Sequence, residues 1–176
     1  MPEYIPTRRF DRTLSFVSQT LSPPARLLDL GVDNRLAGEF RSAGFSVDNT
    51  GGEDLDLDPS AVRKDGYDCV TAFEIIEHLV CPMNVLSSIK AERLFATIPM
   101  RLWFASAYRN DSDPRDRHYH EFEDWQFDWL LKKSGWSIVR REKWTSPAGL
   151  IGVRPLLRRV TPRYYAVEAT RIATSS

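Results

Sequence analysis

The chain has 176 residues, of which 42% are hydrophobic and 27% charged, a composition that excludes an intrinsically disordered protein. Its 24 basic residues balance its 24 acidic residues, which excludes a partner that is attracted to a uniformly charged surface. The length predicts a single domain over residues 1–176. The absence of an apolar run long enough to span a membrane, of a visible signal sequence and of a cysteine framework predicts a cytoplasmic protein.

The first predicted element is an amphipathic helix over residues 8–21, because its apolar residues recur at helical spacing. These residues are Phe10, Leu14, Val17 and Leu21. Pro23 and Pro24 follow and end the helix, since proline cannot continue it. The helix precedes a core that we expect over residues 25–172.

Short apolar segments then alternate with helical segments, which predicts a mostly parallel α/β sheet with helices on both faces. The predicted strands are residues 25–31, 45–49, 67–73, 93–99, 136–144 and 164–172, with a further short strand around Leu55. The predicted helices run from Asp33 or Asn34 to Ala43, from Glu74 to about Ile89, and from Glu123 or Asp124 to Gly135. Four tryptophans, Trp125, Trp129, Trp136 and Trp144, are predicted to lie in the core.

Sheets of this kind bind ligands beyond the carboxyl ends of their strands. The segments that follow predicted strands there are residues 29–35, 48–58, 73–78 and 99–120. A ligand with a nucleotide part is expected near the first two of these segments.

Six sequence segments, in this order, resemble the class I S-adenosylmethionine-dependent methyltransferases. They are LLDLG at 27–31, AGFSV at 43–47, DLDLDP at 54–59, GYDCVTAFEIIEHL at 66–79, LFATIP at 94–99 and HYHEFEDWQFDWLLKKSGW at 118–136. The segment at 66–79 is the most specific of them, and the similarity runs from about residue 25 to 144.

The resemblance implies a Rossmann-like sheet of seven strands in the order 3-2-1-4-5-7-6, with the last strand antiparallel and helices on both faces. It implies S-adenosylmethionine as the cofactor and methyl transfer to a small-molecule acceptor, whose identity and methylated atom the sequence leaves open. The alternative is a catalytically inactive methyltransferase-like domain that serves as a binding module or scaffold. The sequence does not favour a nucleic-acid partner, and it leaves the oligomeric state open.

The resemblance places the cofactor beside residues at the ends of the first, second and fourth strands. They are Asp29, Gly31, Asp33, Asp48, Asp56, Leu57, Phe73 and Glu74. An acidic residue after the second strand is expected to bind the ribose diol, since a carboxylate accepts two hydrogen bonds. Asp48, Glu53 and Asp54 are the candidates, while direct spacing puts Gly51 at the family position.

The glycine loop departs from the family pattern D-x-G-x-G-x-G, because this chain reads DLGVDNR and retains only Gly31. Asp33 stands where the family has a glycine. Its side chain would narrow the pocket and repel a carboxylate, or it would pair with the cofactor's ammonium or sulfonium group.

Histidines in the long polar loop are candidates for acid–base chemistry. We assign His118 as the catalytic base, because a neutral imidazole accepts a proton from a hydroxyl group near pH 7. His120 is the second choice. No resident metal is predicted.

A metal site remains as an alternative, because Glu74, Glu77 and His78 would share one face of a helix. With His118 or His120 they would offer carboxylate and imidazole ligands to a divalent ion.

Basic residues are frequent near the C-terminus and include those of the amphipathic RPLLRRV segment at 154–160. We interpret them as a solvent-exposed edge of the protein. The alternative is that they bind phosphate, nucleic acid or an anionic lipid surface.

Overall fold

A six-stranded mixed sheet forms the centre of the structure, a computed structural model that describes residues 7–146 and 152–173. Its strands are β1 Arg26–Asp29, β2 Ser46–Asn49, β3 Cys69–Phe73, β4 Arg93–Pro99, β5 Trp136–Thr145 and β6 Pro162–Arg171. The spatial order is β2-β1-β3-β4-β6-β5. Strands β1 to β4 are parallel to one another, and β6 is antiparallel to both β4 and β5. The predicted α/β architecture with an antiparallel last strand is therefore confirmed.

The seven-strand order is not confirmed, because residues 50–65 form turns and one 3₁₀ turn, Pro59–Val62, instead of a short strand around Leu55. Aspartates in this segment bind nearby backbone amides. Asp54 accepts from the amide of Asp56 at 3.1 Å, and Asp58 accepts from the amide of Ser60 at 2.9 Å. Such local bonds compete with strand pairing. Leu55 is buried without belonging to a strand.

The described residues form five α-helices: α1 Thr7–Ser18, α2 Arg35–Ser42, α3 Pro82–Ser88, α4 Asp124–Lys133 and α5 Val153–Val160. Asn34 caps α2, since its side-chain oxygen accepts from the amide of Ala37 at 3.1 Å. None of these helices is long and apolar enough to cross a membrane. Residues 1–6, where a signal sequence would begin, lie outside the described residues.

The helix predicted to start at Glu74 does not form there. Glu74 has a φ of +57°, its amide donates to the carbonyl of Thr97 at 2.9 Å, and the chain then makes a single 3₁₀ turn, Ile76–His78. A regular helix begins only at Pro82, which suits a first helical position. The expectation that Glu74, Glu77 and His78 share one helical face is therefore wrong.

Two hydrophobic clusters lie on opposite faces of the sheet, as the alternation of Leu27 and Leu28 in β1 requires. Trp136 and Trp144 are buried in them, as predicted. Trp125 and Trp129 are 45% and 68% exposed, so their assignment to the core is wrong. Helix α4 instead buries Phe127 and Leu131, because these two lie on its opposite side.

Candidate functional site

The carboxyl ends of the four parallel strands meet at one edge of the sheet, which we call the carboxyl edge. Each of the strands β1, β2, β3 and β4 ends there, at Asp29, Asn49, Phe73 and Pro99 respectively. The connections that follow these strands carry most of the residues that sequence analysis proposed. Their geometry decides which of those residues come together.

The turn after β1 is held against the end of β2. Gly31 has a φ of +108°, a conformation that favours glycine, and its amide donates to the Oγ1 atom of Thr50 at 2.7 Å. A Cβ atom at position 31 would lie 3.2 Å from Cδ1 of Ile75, in the turn after β3. Thr50 is buried and was not predicted. Its only signal in the sequence is its position directly after a strand.

Asp29 and Asn49 form a hydrogen-bonded pair at the ends of neighbouring strands. The carboxylate of Asp29 accepts from Oγ1 of Thr71 at 2.6 Å and from Nδ2 of Asn49 at 3.1 Å. Burial raises the pKa of Asp29 to about 6, although both hydrogen bonds lower it. Asn49, at the end of β2, was missed because sequence analysis searched for a carboxylate there.

Two predicted aspartates are paired with arginines of the protein. Asp33 is paired with Nη1 of Arg41 at 2.8 Å, and Arg41 also donates to Oδ1 of Asn49 at 2.9 Å. Asp48 accepts from the hydroxyl of Tyr67 at 2.9 Å and lies 3.4 Å from Nη2 of Arg26, the first residue of β1. The charge of Asp33 is therefore balanced within the protein.

Asp56 and Leu57, which the resemblance placed beside the cofactor, lie in a turn after β2. Asp56 accepts from the amides of Val80 and Cys81, each at 2.7 Å, and so holds the chain that enters α3. Leu57 is 83% exposed. Both remain predictions as cofactor contacts.

Phe73 and Glu74 lie where β3 meets the sheet's carboxyl edge. The ring of Phe73 stacks on that of Phe40 at 5.7 Å. The carboxylate of Glu74 accepts from Oγ1 of Thr97 at 3.0 Å and pairs with Nη1 of Arg9 at 3.3 Å. Burial raises the pKa of Glu74 in spite of these partners.

Glu77 is a buried carboxyl group whose Oε2 atom has no hydrogen-bond partner within the described residues. Burial, and then the negative charge of Glu74, raise the pKa of Glu77 well above its ordinary value. The backbone carbonyl of Glu77 accepts from the amides of Tyr119 at 2.8 Å and His120 at 3.2 Å. These bonds anchor the long loop over the turn after β3.

That loop brings His118 against His78, with the ring centres 4.7 Å apart. Nδ1 of His78 lies 3.0 Å from the carbonyl of Arg117, and its Nε2 lies 3.8 Å from Oε1 of Glu77. Burial, and then the nearby His78 and Arg163, lower the pKa of His118. The neutral imidazole that a general base requires is thereby favoured.

Donor atoms of Glu77, His78 and His118 all lie within 4.8 Å of one another, close enough to share a divalent ion. The structure brings together only part of the metal set that the sequence left as an alternative. Glu74 binds Arg9, and Nε2 of His120 lies 3.3 Å from the carbonyl of Val80.

Residues at the carboxyl edge fit an S-adenosylmethionine molecule in two respects. The Asp33–Arg41 ion pair removes the free negative charge that would repel the cofactor's carboxylate. Oε2 of Glu77 has no hydrogen-bond partner within the described residues, so it can accept a hydrogen bond from an ammonium group of such a ligand.

Comparison with solved structures shows which fold this is. The chain is similar to a SAM-dependent methyltransferase from Archaeoglobus fulgidus, with a TM-score of 0.63 and 14% identity over 94% of each chain. A SAM-dependent methyltransferase from Methanosarcina mazei has a TM-score of 0.59 and 12% identity, over 89% of this chain and 97% of the other. The cyclase SpnF has a TM-score of 0.55 and 14% identity, over 93% and 81%.

No protein-family model matches the chain, and no curated protein matches its sequence. The chain has the fold of the class I S-adenosylmethionine-dependent methyltransferases. Because SpnF is named as a cyclase, the same fold accommodates chemistry other than methyl transfer.

Proposed function

We propose that this protein is an S-adenosylmethionine-dependent methyltransferase that acts on a small-molecule acceptor. The observation that carries the proposal is the pair of the buried Asp29 and the half-buried Asn49 beside Gly31, at the carboxyl edge of a methyltransferase fold. Ligands of parallel α/β sheets bind at this edge. The pair offers a carboxylate and an amide, which are suitable partners for ribose hydroxyl groups.

The proposed cofactor cleft lies between the turns after β1, β2 and β3. Gly31 lets the backbone approach the ligand, Asp29 and Asn49 would bind it through hydrogen bonds, and Thr50 fixes the turn that carries Gly31. Phe73 and Glu74 would border its methionine part. The proposed cofactor contacts also include Asp33, Asp48, Asp56 and Leu57. The three aspartates have partners within the protein that the cofactor would share or displace, and Leu57 is exposed.

His118 is the proposed catalytic base on the acceptor side. When bound, S-adenosylmethionine supplies a methyl group on an electrophilic sulfonium. The neutral ring of His118 accepts the proton of an acceptor hydroxyl or amine, while His78 packs against its edge and orients it. The carbonyl of Glu77 anchors the loop that carries His118 on this side.

Binding of S-adenosylmethionine or S-adenosylhomocysteine is expected to raise the melting temperature. A ligand at a hundred times its dissociation constant adds about 2.7 kcal/mol to the free energy of unfolding. Gly31→Ala is expected to remove this shift, because the new Cβ atom meets Ile75 at 3.2 Å in a backbone conformation that alanine rarely adopts. The measurement is thermal unfolding with and without each ligand.

Gly38→Ala is the matched control for this substitution, since nothing lies within 4 Å of the added Cβ atom and the position is helical. The control should keep the full shift and gain up to about 1 kcal/mol of stability. Absence of a shift in the unaltered protein at millimolar ligand would refute the proposal.

His118→Asn is expected to lower the rate of methyl transfer about a hundredfold through loss of the proton acceptor. Cofactor affinity should stay the same, because His118 lies on the acceptor side. The rate is measured with any acceptor that a small-molecule panel identifies, and His120→Asn is the control. In the unaltered protein the acid limb of the pH–rate profile should lie below the usual histidine range, since the pKa of His118 is lowered. Equal rates for His118→Asn and His120→Asn would exclude the assignment.

A non-catalytic binding or scaffold domain is the second candidate, and the partners of the cleft residues favour it. Asp29 uses one carboxylate oxygen on Thr71 and the other on Asn49. Asp56 likewise uses both oxygens on backbone amides. A cleft with its polar groups already paired would leave few of them for a ligand, and ligand titration separates the two functions.

A further inference from the structure

Helix α5 presents an apolar stripe to solvent. Val153, Leu156 and Val160 recur at offsets of three and four and are 76%, 61% and 71% exposed. Residues at this spacing lie on one face of a helix. None of the residues of α5 is buried, so the apolar face is not packed against the described part of the protein.

Arginines flank this stripe without acidic partners. Arg154, Arg158 and Arg159 lie on the remaining faces of α5, and Arg163 follows shortly after it. Residues 152–163 contain no aspartate or glutamate. No carboxylate of the described residues lies within ion-pair distance of the three arginines of the helix. The surface therefore combines an exposed apolar face with uncompensated positive charge.

This surface lies at the carboxyl edge, beside the candidate site. Helix α5 connects β5 to β6, and the register places Thr145 opposite Pro162 and Pro99 opposite Tyr164. Both ends of the connection are thus level with the end of β4. Arg163 confirms the proximity, because its Nη1 atom donates to the carbonyl of Met100 at 2.8 Å. The exposed Trp103 follows β4 at the same edge.

We propose that α5 docks this protein onto an anionic lipid surface, with its carboxyl edge facing the bilayer. Charge complementarity favours an anionic partner, and the apolar stripe distinguishes lipid from nucleic acid. A phosphate backbone satisfies the arginines but leaves Val153, Leu156 and Val160 in water. An anionic bilayer interface offers phosphates to the arginines and acyl chains to the stripe. The inference is independent of the proposed methyl transfer, because it concerns only where the surface binds.

Co-sedimentation of the full chain with vesicles tests the proposal. Vesicles of phosphatidylcholine with about one-third phosphatidylglycerol should bind the protein at low salt, and pure phosphatidylcholine should not. Added salt should weaken the binding, since surface charges are screened. Arg158→Gln with Arg159→Gln should reduce the affinity about 25-fold, at about fivefold for each charge. Leu156→Ser with Val160→Ser should also reduce it.

Matched controls test whether vesicle binding depends on α5 or on any exposed basic or apolar residue of the protein. Lys132→Gln with Lys133→Gln removes the same charge from the exposed end of α4, and Val139→Ser removes an exposed apolar residue from β5. Both controls should bind as the unaltered protein does. Affinity unchanged by the α5 substitutions, or lowered equally by the α4 pair, would overturn the proposal.

Evidence for either of two other partners of the α5 surface would also overturn the proposal of lipid binding. Self-association that Leu156→Ser with Val160→Ser abolishes would identify a second copy as the partner. Single-stranded DNA that displaces the protein from vesicles would identify a nucleic acid as the partner, provided that Leu156→Ser with Val160→Ser leaves the DNA binding intact. Thermal unfolding of each variant verifies that the exposed substitutions leave the fold intact.

Discussion

Replacing Glu168 by glutamine is expected to lower the free energy of unfolding by about 4 kcal/mol. Glu168 is a buried residue of β6, and its two oxygens connect β4, β5 and the turn after α1. Oε1 accepts from Nε of Arg93 at 3.0 Å, while Oε2 accepts from Nε of Arg140 at 2.9 Å and from Oγ1 of Thr20 at 2.9 Å. The substitution leaves two partly buried guanidinium groups without their counter-charge. Removing one partner of a buried ion pair is strongly destabilising, because the remaining charge is uncompensated.

The pH dependence of this loss follows from the pKa of Glu168. Burial raises it, but the hydrogen bonds from Arg93, Arg140 and Thr20 outweigh burial and lower it below its ordinary value of 4.5. Stability from the carboxylate is therefore present above that value and is lost as the pH falls through the lowered folded-state pKa. The deficit of Glu168→Gln should be complete at neutral pH and should shrink under acid conditions.

Urea unfolding at neutral and acid pH measures the deficit. Glu92→Gln is the control, because Glu92 is exposed and surface substitutions change stability by within about 0.5 kcal/mol. A loss below about 1 kcal/mol at neutral pH would show that the network contributes no more than an exposed pair.

The spacing of apolar residues, together with proline and glycine at the ends of elements, predicted most helices and strands of the fold. Helix α1 and the strands other than the one expected around Leu55 follow from apolar spacing and from Pro23, Gly44 and Gly135, whereas the antiparallel last strand was implied by the resemblance to the methyltransferases. The error around Leu55 arose because Leu55 and Leu57 alternate with aspartates as in a strand, whereas Asp54 and Asp58 bind local amides. The error at Glu74 has a tertiary origin, since its amide bonds to Thr97 on a neighbouring strand.

The candidate site was less accessible from the sequence than the fold. Proximity to strand ends correctly placed Asp29, Gly31 and the His118 loop at one edge. Side-chain partners follow from register and loop path, so the sequence could not show that Arg41 neutralises Asp33 or that Asn49 faces Asp29. Trp125 was assigned to the core because it lies four residues before Trp129, the spacing of residues on one face of a helix. The structure turns that face of α4 to solvent, and spacing alone does not show which face is buried.

Glu77→Gln is expected to have the opposite effect to Glu168→Gln and to raise the free energy of unfolding at pH 7. The two residues are buried glutamates that undergo the same substitution. They differ in their partners, because Glu168 has two arginines and a hydroxyl, whereas Oε2 of Glu77 has none within the described residues. Burial, and then the negative charge of Glu74, outweigh the attraction of Arg163 and Arg9 and make ionisation of Glu77 unfavourable in the folded state.

The sign of this effect follows from a folded-state pKa raised well above the ordinary 4.5. Above pH 4.5 the unfolded chain loses the proton that the folded protein keeps, so folding becomes less favourable by about 1.4 kcal/mol for each pH unit. The penalty grows until the pH reaches the folded-state pKa. Glutamine has no proton to lose, so Glu77→Gln removes this term.

Urea unfolding between pH 5 and 8 in buffer with EDTA tests the prediction, because chelation removes any divalent ion shared by Glu77, His78 and His118. The variant and the unaltered protein should be nearly equal in stability at pH 5 and should diverge as the pH rises. A variant that is less stable at every pH would show instead that Glu77 is ionised and paired. A stabilised variant that has lost methyl transfer would identify Glu77 as a strained residue kept for function, since active sites retain groups that weaken the fold.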